Sequence, residues 1–234
     1  LTVVGPSSTE TVDYVVTADD VQFAGVIVNV VIPALSAQGG YSVTANIIDV
    51  AGNAGGASNV VPFTLDTVQA SSAPTISIAD ANSPTPDGRI NDAEKTDGVP
   101  VVVSLPTGAA VGDTVTLTLA RPDGSTTQVS QVVAGPLGST ISIDVASVLN
   151  TDGAYSVTAR ITDPAGNSSP ISSVSNFSLD TAKPNAPALT IAEGPAVNAG
   201  ENADGIQTAV SLTGTNAIAG DTITLNFTRP DGTT

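Results

Sequence analysis

The sequence predicts an all-β fold made of tandem β-sandwich domains arranged end to end. Three observations predict it. Tyr155, Val157, Ala159 and Ile161 alternate with Ser156, Thr158, Arg160 and Thr162, the two-residue period of a half-buried antiparallel strand. The stretch recurs: Gly40-Tyr41-Ser42-Val43-Thr44-Ala45 returns as Ala154-Tyr155-Ser156-Val157-Thr158-Ala159, at an interval of 155 − 41 = 114 residues that Phe63 and Phe177, and Asp66 and Asp180, also keep. A register held without a gap marks an array of similar domains. Val, Thr and Ile abound, and 22 Gly and 16 Pro supply turns, a composition of short strands.

Taken in order, residues 1–68 match the C-terminal part of a repeat. Gly5-Pro6-Ser7-Ser8 stands where Arg121-Pro122-Asp123-Gly124 stands later, and the latter is a turn, with Pro setting φ and Gly accepting a positive one. Val26, Val28 and Val30 alternate as Ile141, Ile143 and Val145 do, and Phe63 and Leu65 lie one strand period apart in a closing strand. Gln69-Ala70-Ser71-Ser72-Ala73-Pro74 is a linker, copied as Ala182-Lys183-Pro184-Asn185-Ala186-Pro187. Proline in both restricts hinging. Residues 69–182 form the complete repeat, with strands expected at 75–79, 99–105, 114–120, 127–133, 140–145, 154–162 and 173–179 and no helix longer than a turn or two. Residues 183–234 open a third repeat, in which Gly220-Asp221-Thr222 copies Gly112-Asp113-Thr114 at 221 − 113 = 108 residues. Both ends fall inside a repeat. Either the protein continues beyond them, or the tail half of one molecule completes the head half of the next by head-to-tail self-association.

Composition excludes several functions. There is no Cys and no His, hence no disulfide framework, no thiolate or imidazole metal site and no His-based triad. The absence of Cys fits a reducing compartment and a secreted bacterial protein equally. A net charge of −16 with six basic residues (Arg89, Lys95, Arg121, Arg160, Lys183 and Arg229) opposes nucleic-acid binding, which needs a positive surface. Such acidity is self-repulsive, and divalent cations would relieve it. The longest apolar run, residues 26–35, is interrupted by Asn29 and Pro33 and falls short of the roughly 18 to 20 residues that span a bilayer.

The entry Asp152-Gly153-Ala154-Tyr155 resembles the tyrosine corner of an immunoglobulin sandwich, in which the ring packs inward and the hydroxyl bonds a backbone group upstream. Val157 takes the place where antibody domains carry a cysteine. Together with Gly112-Asp113-Thr114-Val115-Thr116-Leu117, Thr162-Asp163-Pro164-Ala165-Gly166-Asn167 and Ser178-Leu179-Asp180-Thr181, this resembles the bacterial immunoglobulin-like repeats of giant surface adhesins. Among them are the extender regions of repeats-in-toxin adhesins used in biofilm formation and in ice or host attachment. The resemblance implies an extracellular spacer on the bacterial surface, stiffened by calcium, that contacts neighbouring repeats and projects a separate binding domain.

Calcium takes six to eight oxygens from carboxylates, amides, carbonyls and water. Residues 80–94 offer Asp80, Asn82, Asp87, Asn91 and Glu94, and part of this spacing resembles an EF-hand-type loop with about three extra residues. Glu193, Asn198 and Glu201 correspond to Asp80, Asn91 and Glu94 in the third repeat. Sandwich geometry further suggests that Asp49 and Asp66 meet the 80–94 loop, and that Asp163 and Asp180 meet the loop from Glu193 to Glu201, so that a calcium ion shared at each inter-domain joint would lock domain orientation. The same residue types are also ordinary turn formers. With no nucleophile elbow and no His or Cys, catalysis is not expected. A carbohydrate- or protein-binding module, or an accessory domain of a secreted enzyme, is the alternative to a spacer. The three Tyr and four Phe lie largely on apparent core faces, which leaves few rings for a sugar platform.

Overall fold

The computed structural model describes residues 1–22, 25, 27–68, 70, 72–79, 87–135 and 138–228. Leu1–Leu179 form one compact unit and Asp180–Thr234 a second. The fold is all-β, with several sheets.

The first sheet combines β1 (Thr2–Val4), β2 (Thr9–Thr11), β3 (Gly39–Thr44) and β4 (Val61–Leu65) in the order β2-β1-β3-β4. The chain continues through β5 (Thr75–Ile78), β6 (Arg89–Asn91), the short helix α1 (Asp92–Asp97), β7 (Pro100–Ser104), β8 (Thr114–Ala120), β9 (Thr126–Val132), β10 (Thr140–Asp144), β11 (Gly153–Thr162) and β12 (Ser175–Asp180). These strands build two sheets, β10-β7-β5 and β6-β12-β11-β8-β9. All seven strands expected between 75 and 179 are present, within two residues at each end.

The alternation read from the sequence is the burial pattern observed. Val115, Leu117 and Leu119 of β8 and Tyr155, Val157, Ala159 and Ile161 of β11 are buried, while the residues between them are not. They share one cluster with Val101 and Val103 of β7 and Ile143 of β10, so both sheets contribute to a single core. Such burial of branched side chains is the main favourable term for a domain of this size.

Tyr155 anchors the arrangement. Its hydroxyl donates to the Thr151 carbonyl at 2.8 Å, and its ring stacks on Phe177, its cross-strand partner, with centroids 5.3 Å apart. Tyr41 repeats both contacts, donating to the Ala37 carbonyl at 2.7 Å and stacking on Phe63 at 5.3 Å. The expected inward ring and upstream hydroxyl bond are therefore present twice. Gly153 enters β11 at φ +135°, and a Cβ there would lie 2.9 Å from Pro122. Only glycine suits that conformation and that close approach.

Two stretches differ from expectation. Residues 27–36 form no strand, although Val26, Val28 and Val30 alternate; Val26 itself lies outside the described residues. The counterpart strand β10 pairs only with β7, and residues 1–68 hold no equivalent of β7 among the described residues, so alternation there finds no ladder to join. In the second unit β13 (Ala188–Ile191) and β14 (Thr208–Ser211) pair in the register of β5 with β7: Ala188 faces Ser211 as Thr75 faces Ser104. Residues 222–228 form no strand. Their counterpart β8 relies on β9 and β11, for which the described residues of that unit offer no equivalent.

Candidate functional site

The polar features collect at strand ends. After β11 the chain makes a compact loop in which Asp163 and Asn167 hold each other. The Asp163 N–H donates to the Asn167 carbonyl at 3.0 Å. The Asn167 N–H donates to Asp163 Oδ1 and its Nδ2 to Oδ2, both at 2.8 Å. Asp49 and Asn53 copy this geometry: N–H to Oδ1 and Nδ2 to Oδ2 at 2.8 Å, with the Asp49 N–H donating to the Asn53 carbonyl at 3.0 Å. Hydrogen bonds from the asparagine, its side chain foremost, hold both aspartate carboxyls below their ordinary range. A lowered folded-state pKa favours the carboxylate. The contribution to stability is therefore present at neutral pH and is lost as pH falls through the folded pKa.

The strand registers settle which ends meet within the first unit. Gly39 pairs Leu65, so Asp66 lies at the start of β3, whereas Asp49 follows its far end. Asp49 and Asp66 therefore stand at opposite ends of the β3–β4 hairpin, and of the 80–94 loop that both are expected to meet, residues 80–86 lie outside the described residues. In β12 likewise, Leu179 pairs Gly153 at the start of β11, and Asp163 follows the other end. Asp66 does meet the loop that follows β11: Asn167 Nδ2 donates to the Asp66 carbonyl at 3.0 Å. The two sides enclose a cavity of ≈ 270 Å³ lined by Asp66, Val68, Ala70, Gly108, Val111 and Asp163, among others. Asp113 also lines it, and its Oδ2 accepts from the Ala110 N–H at 2.9 Å.

The remaining candidate ligands serve local turns. Asp66 Oδ1 accepts from the Val68 N–H at 3.0 Å and Asp180 Oδ1 from the Ala182 N–H at 3.1 Å. Asp87 Oδ1 accepts from the Arg89 N–H at 2.7 Å. Asn91 and Glu94 form the capping box of α1, and Asn198 and Glu201 that of the short helix α2 (Ala199–Ala203). The segment expected to be an EF-hand-type loop thus contains β6 and α1 in its second half. Glu193 Oε1 accepts from the Gln207 N–H at 3.0 Å. Asp80 and Asn82 lie outside the described residues. Among the described residues no group of three or more Asp or Glu side chains is placed to hold a metal ion.

Two serines were missed by sequence reasoning. Ser169 and Ser172 are buried. Their hydroxyls accept from the Ile161 and Ala159 N–H groups at 3.1 and 2.9 Å and donate to the Pro170 and Ser173 carbonyls. They complete the β11 ladder where β12 no longer pairs with it. Ser172→Ala is expected to destabilise by about 1–3 kcal/mol, because the Ala159 N–H would stay buried without its acceptor. Exposed Ser173→Ala should stay within about 0.5 kcal/mol. Denaturant titration of both variants checks this.

Fold and joint together define an all-β chain in which one strand hairpin recurs and which carries no His or Cys. No protein-family model matches the sequence, and no curated protein matches it. Solved structures do resemble it at low identity. One is of a 1.5-MDa bacterial ice-binding adhesin, concerned with its retention on the host cell surface: 25% identity and a TM-score of 0.34, covering 65% of this chain and 44% of that one. Another is a crystal structure of a tetra-tandem repeat in the extending region of a large adhesion protein: 22% identity and a TM-score of 0.35, covering 66% of this chain and 35% of that one. The chain spans less than half the length of either. No helix among the described residues is long and apolar enough to cross a membrane.

Proposed function

We propose that the chain is a non-catalytic extender segment of a bacterial cell-surface adhesin, in which immunoglobulin-like sandwich repeats stand in file and carry a binding domain away from the surface. One observation carries the proposal: the same strand hairpin, with the same tyrosine corner and the same Asp–Asn loop, occurs twice, and the second loop bonds the end of the first repeat. An extender needs repeated units and defined joints and no reaction centre, which is what these residues offer.

Calcium enters the proposal at the 80–94 loop, where Asp80, Asn82 and Asp87 would supply oxygens beside the capping box of Asn91 and Glu94, and the −16 net charge favours a cation. An ion bound only by the folded state raises the melting temperature by mass action. Melting the chain in millimolar calcium and again in excess chelator is expected to give a higher midpoint with calcium. Equal midpoints reject the ion and leave the extender intact. Small-angle scattering tests the extender itself: an elongated particle is expected, a spherical one rejects it, and specific retention on a glycan array would favour a binding module.

A further inference from the structure

We propose that the joint between the first and second repeats is latched by the side-chain amide of Asn167. This rests on the chain being a spacer whose joints set its stiffness. An asparagine amide has two N–H donors. One of Asn167's goes to Asp163 Oδ2 at 2.8 Å and the other to the Asp66 carbonyl at 3.0 Å. The reversed amide would face its oxygen to a carboxylate and a carbonyl, two acceptors, so the network fixes the orientation. The amide therefore joins two repeats through its one nitrogen.

The acidic groups around the cavity already accept hydrogen bonds, which leaves the amide as the group that reaches across the joint. Both Asp163 oxygens accept from Asn167, Asp113 Oδ2 accepts from Ala110, and Asp66 Oδ1 accepts from Val68. Asp66 turns its main-chain oxygen, not its carboxylate, to Asn167. A main-chain carbonyl is present whatever the side chain, so the latch does not depend on which residue ends a repeat. It is also preformed. The loop of Asp49 and Asn53 holds the same internal bonds, although among the described residues no strand end is seated on Asn53. A group already held in its bonding geometry loses little freedom when it binds.

The absence of Cys allows a direct test. Thr64→Cys and Gln131→Cys, both at exposed strand positions, carry spin labels on the two sides of the joint, and dipolar spectroscopy reads the distance distribution. A narrow distribution is expected, unchanged by chelator or by millimolar calcium. Asn167→Ala roughly doubles its width, since relative motion is the default for domains with a small interface. Asn167→Asp, which removes the donors, does the same. Asn53→Ala costs its own loop the equivalent side-chain bond to Asp49 but leaves the distribution narrow, which separates the latch from loop damage. An unchanged width in Asn167→Ala overturns the proposal, as does broadening by chelator alone. Neither result bears on the particle's length, which tests the extender reading separately.

Discussion

Tyr155→Ala is expected to destabilise the Leu1–Leu179 unit by about 3–5 kcal/mol, the range for removing a large buried ring. The ring is 2% exposed and stacks on Phe177 at 5.3 Å, so its loss leaves a void on one face and strips Phe177 of its cross-strand partner. The hydroxyl is a separate matter. It donates to the Thr151 carbonyl at 2.8 Å and accepts from the Thr151 N–H at 3.2 Å, closing the turn that leads into β11. Tyr155→Phe keeps the ring and removes both bonds, at an expected cost of about 1–2 kcal/mol. Chemical denaturation followed by circular dichroism checks the pair. A Phe variant as unstable as the Ala variant would mean that the corner, rather than the packed ring, carries the stability.

The strands were legible because the code for them is short-ranged. Alternation in β8 and β11 reports burial residue by residue, and Pro122-Asp123-Gly124 marks the turn between β8 and β9. Tyr155 was legible as a corner because its glycine entry and its place at a strand start occur together. The joint was not legible, because it depends on which ends of a sheet adjoin. Asp49 follows β3 and Asp66 follows β4, and only the pairing of Gly39 with Leu65 shows that they stand at opposite ends of the hairpin. Asn91 and Glu94 were ambiguous for a different reason. The spacing that suits a metal loop also suits a capping box, since both need an amide or carboxylate oxygen three residues apart. The backbone of α1 uses those oxygens. Ser169 and Ser172 gave no signal, since a serine that replaces a ladder bond has the same sequence appearance as one facing solvent.

Leu117→Ala is expected to cost about 2–5 kcal/mol, and it tests the shared core more directly than any ring substitution. Leu117 is fully buried in β8, between Ala159 of β11 and Val129 of β9, and belongs to the cluster that also contains Val101, Val103 and Ile143 of the other sheet. Its removal therefore opens a cavity between two sheets, which neither can close without moving as a whole. Val132→Ala is the matched comparison. Val132 sits in β9 paired with Thr114, but it is 57% exposed, and its truncation should fall within about 0.5 kcal/mol. If the two substitutions cost the same, β8 is not covered by β7 and β10 and the common core fails with it. If Leu117→Ala alone unfolds the chain at lower denaturant with an unchanged slope, the loss is one of packing energy and not of compactness, as a single core between two sheets requires.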